Sequence, residues 1–420
     1  MKVIFKISMK RYIYFLLAIF FLQAAFARDP FEGKQEEPDM DALRKWVREK
    51  RMISIKELGG DLSLSGEVRV EYQGFNEKKN GIKQRGISSA TSNPNNAFDV
   101  EVNLILDYHS GRTWGIIKLE FDNDMGIDSG TTHEIALEKA YFGGRMIDGE
   151  TFNFDGELGR RNLSDVFDSK IEFSSIFDGG LFRFNKAFES IGSFYVNLGA
   201  FLISDFYKHF GEVTEIGLLD IANTGFFVKY SFINWKKFFD SDGGRKRRFN
   251  FGNSQLLLGY QGIMAKWDKY TKIYLAGLMN HFAKDLTFAN DVNLHKKYNL
   301  AWYVGISVGR ILQARDWAID VNFQYVMPQA VSDFDAGGIT TGNADNVGLY
   351  TTSVTGTGNP TTRADAVGEA NYKGFSFDFL YAITNNLTLL QRFEISNNQT
   401  RSFGPAMSFK KYEMEFIYAF

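Results

Sequence analysis

Two adjacent arginines, Arg160 and Arg161, precede Asp165, Asp168 and Lys170 within the stretch RRNLSDVFDSKIEFSSIFD (160–178). Cations and carboxylates at this spacing make and break no bonds, but facing each other across a narrow aqueous gap they orient dipolar solutes and sort ions. On an ordinary solvated loop the same residues would only meet water, so their placement decides. No other set of residues points to bond chemistry. Asp122, Asp124 and Asp128 in DNDMGIDSG have calcium-like spacing but lack the remainder of an EF-hand loop and its terminal glutamate. His109, His133, His209, His281 and His295 fall at no metal-ligand spacing, and no nucleophile elbow, phosphate loop or dinucleotide fingerprint occurs. With no cysteine there is neither a thiolate site nor a disulfide framework. The expectation is a protein without catalytic residues, metal or cofactor.

The N-terminus indicates the compartment. Lys2, Lys6, Lys10 and Arg11 precede the apolar YIYFLLAIFFL (12–22), and AFA (25–27) matches a small-residue cleavage site. The expected reading is a signal peptide over 1–27 and a mature chain from Arg28. The alternative, an uncleaved anchor, is opposed by the brevity of the apolar stretch. Loss of the four cations takes the formal net charge from −2 to −6, which disfavours a nucleic-acid partner.

Beyond that segment no run approaches the length of a membrane helix, and mean hydropathy is slightly negative. Aromatics nevertheless make up 16% of the chain, with 41 Phe and 19 Tyr. A β-barrel reconciles these facts, because only alternate residues of each strand face lipid. In RDWAIDVNFQYVM, Trp317, Ile319, Val321, Phe323 and Tyr325 share one face, against Ala318, Asp320, Asn322 and Gln324. FDVEVNLILDY (98–108) and LSLSGEVRVEY (62–72) repeat the pattern.

Fifteen such segments are placed at 62–74, 97–109, 112–122, 134–145, 151–160, 178–187, 192–205, 223–235, 253–265, 270–283, 298–311, 315–327, 371–382, 386–397 and 408–420. Short connections such as HSGR (109–112) alternate with long ones such as 328–370, as in outer-membrane barrels. Counting inward from the two chain ends gives opposite directions for 223–235. A further strand over VTEIGLLD (213–220), turning through IANT (221–224), removes the conflict. The expected fold is all-β, a transmembrane antiparallel barrel over 62–420 of about sixteen strands with a water-filled lumen.

Alternation assigns Glu67, Arg69, Glu71, Asp99, Glu101, Asp107, Asp320 and Arg392 to the lumen, where acids outnumber bases and favour cations weakly. The stretch 160–178 becomes the third outer loop and the candidate constriction. Trp114, Trp267 and Trp317 are expected at the periplasmic rim and Trp235 and Trp302 toward the outer rim, as aromatic girdles. A basic run, GGRKRR (243–248), falls in an outer loop, where it is solvated or meets lipopolysaccharide phosphates. Residues 28–61 form a periplasmic leader, with a short amphipathic helix in MDALRKWVREK.

The patches LEKAYFGGR (137–145), ELGRRN with FDGGLFRF (157–162 and 177–184), QYVMPQAVSDFDAGG (324–338) and YKGFSFDFLYAITNNLTL (372–389) resemble strand ends and loops of Gram-negative outer-membrane porins. The ending YEMEFIYAF is similar to the signal that the barrel-assembly machinery reads, carried by Tyr412, Phe416, Tyr418 and Phe420. The resemblance spans about Leu62 to Phe420. It implies passive diffusion of ions and small hydrophilic solutes, assembly as a trimer, and an inward-folded third loop. Two other classes remain open. A surface adhesin or structural barrel would use the Gly/Thr/Asn-rich 337–362, and an outer-membrane hydrolase would need a catalytic cluster at the outer rim.

Overall fold

The structure, a computed structural model, describes residues 53–57, 60–87, 89, 94–126, 133–204, 209–235, 251–264, 268–283, 286–288, 291–332, 335–339, 370–400 and 406–420. The expected signal peptide (1–27), the expected leader up to residue 52, the run 243–248, Asp128 and Trp267 lie outside them.

Sixteen antiparallel strands run in sequence order around a closed barrel. They are β1 (Gly60–Lys79), β2 (Asn96–Ser110), β3 (Thr113–Asp124), β4 (His133–Asp148), β5 (Phe152–Asn162), β6 (Ile176–Phe188), β7 (Gly192–Ser204) and β8 (His209–Ile221). The second half is β9 (Phe226–Asn234), β10 (Gly252–Met264), β11 (Lys269–Asn280), β12 (Leu300–Gly309), β13 (Trp317–Val326), β14 (Tyr372–Ala382), β15 (Leu387–Asn398) and β16 (Met407–Ala419). Each strand pairs with its neighbours in sequence, and β16 closes on β1 from Glu67↔Ala419 to Lys79↔Met407. Closure leaves no long unpaired edge, which hydrocarbon would not tolerate. Short pieces decorate the barrel: Ile53–Glu57 pairs with the start of β1, and Ile82–Lys83 folds back on its end. Leu286–Phe288 pairs with Asp291–Lys296 in an outer connection.

The strand read over 213–220 is the core of β8, so the sixteen expected from parity are the sixteen observed. The reason is local. Side chains along a strand point alternately outward and inward, most clearly in β16, where Phe416 and Tyr418 face out while Glu413, Glu415 and Ile417 face in. Turns between strands use residues suited to tight reversal. Gly111 sits at φ +58 between Ser110 and Thr113, a conformation glycine enters without a Cβ clash.

One bulge matters for the lumen. Between β3 and β4 the register steps from Lys118↔Lys139 to Leu119↔Leu137, leaving Glu138 unpaired on the ladder. Glu138 bonds to Lys118 while Lys139 reaches Asp165, so two consecutive charges turn inward.

The last residue clasps the first strand. Phe420 N–H donates to the Gly66 carbonyl (2.9 Å), and Gly66 N–H donates to that of Phe420 (3.0 Å). Its ring lies over Gly66, where a Cβ would come within 2.6 Å of it. Deleting Phe420 removes both bonds, about 2 kcal/mol in total. The expected result is a several-fold lower yield of heat-modifiable, folded barrel on gels, with unchanged conductance from the barrels that do form.

Candidate functional site

The connection between β5 and β6, residues 163–175, turns into the barrel. Its entry is a single 3-10 turn, Leu163–Asp165, in which Asn162 N–H donates to the Asp165 carboxylate (3.3 Å) and Val166 and Phe167 N–H both donate to the Leu163 carbonyl (3.0 Å). Leu163, Phe167 and Phe173 are fully buried against Phe177 and Leu181 of β6, Phe201 of β7, Val213 of β8 and Ile233 of β9, with Trp235 and Phe251 beyond. The Phe167 and Phe173 rings lie 5.4 Å apart. Phe173 sits at φ +71, a costly conformation for a bulky residue that persists because the ring is held from all sides. Further along, Ile171 enters a second inner cluster with Phe227, Leu257, Tyr274 and Tyr303.

Asp165, Asp168 and Lys170 on this loop are each paired with an opposite charge on the wall behind it. Asp165 accepts from Lys139 (2.6 Å), and Asp168 lies 2.8 Å from the Lys229 ammonium and 3.7 Å from that of Lys272. Asp168 N–H donates to Glu215, and its carbonyl accepts from Gln255. The Lys170 ammonium lies 3.6 Å from Asp320, and its carbonyl accepts from Gln324. Glu172 accepts from Asn253. Burial pushes the Glu172 carboxyl up to about 8, helped by the charge of Asp335 and opposed by the Asn253 bond. The loop therefore lies along the inner faces of β6 to β13, with Asp165 reaching back to Lys139 of β4.

The opposite wall, from β14 through β16 to β3, carries a different pattern. Direct cross-strand pairing puts Glu415, Glu71, Asp99 and Asp124 in one transverse row. Side chains directly opposite each other are about 5 Å apart, so like charges there repel unless water or cations screen them. Among the described residues no lysine or arginine lies within ion-pair distance of Glu71 or Asp99. Below this row Arg69 is held by Glu67, by Glu101 (3.6 Å) and by Glu415 (3.3 Å). Arg392 joins Asp378 (2.8 Å) to Glu413 (3.4 Å). Asp107 faces inward beside His109 (2.9 Å). Asp320 is buried beneath the loop, accepting from Tyr274 and Ser307.

The five residues singled out in 160–178 are divided by the structure. Asp165, Asp168 and Lys170 are on the inward loop. Arg161 points inward but belongs to β5, paired with Glu157 (2.6 Å) and stacked 3.6 Å over the Tyr141 ring. Arg160 has the opposite parity, shared with lipid-facing Leu158, and forms two 2.7 Å bonds to Asp178 on β6. It is not in the lumen. Strand β5 runs on to Asn162, and alternation sends neighbouring residues to opposite faces.

The tryptophan girdle also needs correction. Trp302 and Trp317 face outward, but Trp114 turns into the lumen and donates to Glu157 (3.2 Å), and Trp235 is buried in the inner apolar cluster. Rim height had placed them, whereas strand parity decides the face. The inner aromatics Phe177, Phe201, Tyr274 and Tyr303 were not foreseen as partners of the loop. Their signal was available, since an apolar residue at a lumen position needs another apolar group to cover it.

No family model matches the chain, and no curated protein does. Among solved structures it is similar to OprB of Pseudomonas putida, at 11% identity and TM-score 0.49, covering 86% of this chain and 94% of that one. OmpF of Salmonella typhi, in a complex with daunomycin, matches at 12% identity and TM-score 0.47 over 88% and 100%. The outer-membrane channel DcaP of Acinetobacter baumannii matches at 12% and 0.46 over 87% and 99%. Sixteen strands in one closed barrel are consistent with the porin family that the sequence resembles.

Proposed function

We propose that this protein is an outer-membrane porin, passing ions and small hydrophilic solutes down their gradients without chemistry. The observation that carries this reading is the inward loop 163–175. It occupies one side of a sixteen-stranded barrel, with Asp165, Asp168 and Lys170 paired to the wall it covers, and among the described residues no ion pair joins it to the row Glu415–Glu71–Asp99–Asp124. A barrel of this size encloses a water-filled channel, and a loop seated on one wall narrows it without plugging it. Solutes are then sorted by the width between loop and wall, and ions by the wall's charge.

The row Glu415–Glu71–Asp99–Asp124 faces that gap, giving a weak preference for cations. The location implied is the bacterial outer membrane, reached through a cleaved signal peptide over 1–27. Lipopolysaccharide would surround the outer rim, and the barrel-assembly machinery would read Tyr412, Phe416, Tyr418 and Phe420. Association into a trimer is part of the same reading.

Refolded protein in planar bilayers is expected to give stepwise conductance and, under a salt gradient, a reversal potential on the cation side. Combining Glu71→Gln, Asp99→Asn and Glu415→Gln brings that potential close to zero while stepwise conductance persists. Inserted barrels without conductance would overturn the channel reading. An anion-side potential in the unaltered protein would overturn only the cation preference.

A further inference from the structure

A second outer connection also enters the lumen. After β13, residues 327–332 and 335–339 lie inside the barrel mouth, with Gln329, Ala330, Val331, Ser332, Asp335 and Ile339 almost completely buried. Their near end is tied to the wall: Asn280 donates to the Gln329 carbonyl (2.9 Å), and Gln329 accepts from Tyr298 N–H (3.1 Å). Their far end is tied to Gln324 of β13, which accepts from Ile339 N–H (3.3 Å) and from the Tyr372 hydroxyl (2.8 Å).

Between these anchors the segment crosses the inward loop and bonds to it. Gly337 N–H donates to the Ile171 carbonyl (3.2 Å), the Ser174 hydroxyl to the Ala336 carbonyl (2.9 Å), and Ser175 N–H to the Asp335 carboxylate (3.2 Å). Ala330, Val331 and Ile339 share the apolar cluster that takes up Ile171.

Two carboxyls are buried at this crossing, with no cation beside them among the described residues. Asp335 is fully buried, and its second oxygen has no hydrogen-bond partner. Glu172, from the loop, is also buried, and Asn253, which donates to it, leaves its own carbonyl oxygen Oδ1 unsatisfied. A protonated Glu172 carboxyl is a donor suited to that oxygen, whereas an ionised one is not. The groups acting on Glu172 are Asp335 from the strap and Asn253 from β10. Ser175 and the Phe173 N–H act on Asp335 in the opposite sense to burial, since their hydrogen bonds favour its ionised form. No lysine, arginine or histidine is among them.

The geometry points to residues 327–332 and 335–339 as a strap that holds the inward loop against the wall, fastened while Glu172 and Asp335 carry their protons and loosened when they ionise. This rests on the channel reading and adds a control of pore width to it. Burial raises both carboxyls, from ordinary values of 4.5 and 3.8 to about 8 for Glu172 and about 7 for Asp335. The strapped state therefore binds more protons than the released one. Its extra stability is complete below about pH 4, falls as pH rises, and is gone above about pH 8. The device keeps the pore narrow in acid and lets it widen in alkali.

The test reads the strap and the channel separately. Hydrogen–deuterium exchange, corrected for the intrinsic rate at each pH, follows the Ser175 and Gly337 amides in the refolded barrel. Their protection is expected to fall at least tenfold between pH 5 and pH 9, while strand amides of β13 keep theirs. In bilayers the exclusion limit for neutral polymers is expected to widen over the same range. That limit reports width and is insensitive to titration of the other lumen carboxylates.

In the Glu172→Gln, Asp335→Asn double variant both changes should disappear, with the narrow state persisting at pH 9. A cross-link provides a second control. A Cβ built on Gly337 lies 3.6 Å from Ser174 Cβ, within disulfide range, and the chain has no cysteine of its own. Oxidised Ser174→Cys, Gly337→Cys protein should stay narrow at pH 9 and regain the wild-type response on reduction. Unchanged protection of both amides at pH 9, or a cross-linked barrel that widens as the wild type does, would overturn the strap. Barrels lacking conductance but losing protection would overturn the channel reading alone.

Discussion

Replacing Phe167 and Phe173 together with alanine is expected to release the inward loop and raise single-channel conductance several-fold. Both rings are essentially inaccessible, at 2% and 1% exposure, and both pack on side chains from β6 to β9 rather than on each other alone. Truncating a buried phenylalanine costs about 3–5 kcal/mol. The loop keeps Leu163 and Ile171 as smaller apolar anchors, and its other attachments are ion pairs and hydrogen bonds that water can also serve. Phe173 adds a further bias, because its backbone sits at φ +71 and relaxes once the ring no longer holds it there.

The measurement is conductance together with the neutral-polymer exclusion limit. Phe182→Ala provides the control, since that ring faces outward, 46% exposed, and its loss should leave both readouts unchanged. An unaltered exclusion limit in the double variant would show that the loop is not held by its apolar anchors.

Arg69→Met is expected to destabilise the barrel by about 3–5 kcal/mol, the cost of leaving buried charge uncompensated. Arg69 is 6% exposed, and three carboxylates, Glu67, Glu101 and Glu415, converge on its guanidinium from β1, β2 and β16. The substitution leaves those acids facing one another at the seam where the barrel closes. Unfolding of the reconstituted protein in denaturant should show a clearly lower midpoint. Adding Glu415→Gln to Arg69→Met should recover a large part of the loss, because the second change removes one of the stranded charges. Lysine at 69 should restore less than arginine does, since a single ammonium cannot serve three acceptors in a planar fork. A stability equal to wild type in Arg69→Met would mean that water already solvates the cluster.

Much of this molecule could be read along the chain. The period-2 pattern is local, so the strands, their faces and the lumen acids on β1, β2 and β16 were legible in LSLSGEVRVEY, FDVEVNLILDY and YEMEFIYAF. Direction along a barrel must alternate, and that constraint recovered the strand over 213–220 where its own pattern was weak. The three loop charges Asp165, Asp168 and Lys170 were also picked out by type and spacing.

Other features were decided by contacts between residues far apart in sequence. Arg160 and Arg161 looked like a pair until β5 continued through them and turned one to lipid and the other to water. Trp114 and Trp235 looked like rim aromatics, yet one bonds to Glu157 and the other closes a cluster under the loop. The crossing of 335–339 over 171–175 joins two outer connections separated by half the barrel's strands. Alternation is written in each strand because side-chain direction follows from backbone geometry alone. What fills the lumen is written nowhere locally, because it depends on which apolar positions meet once the sheet has closed.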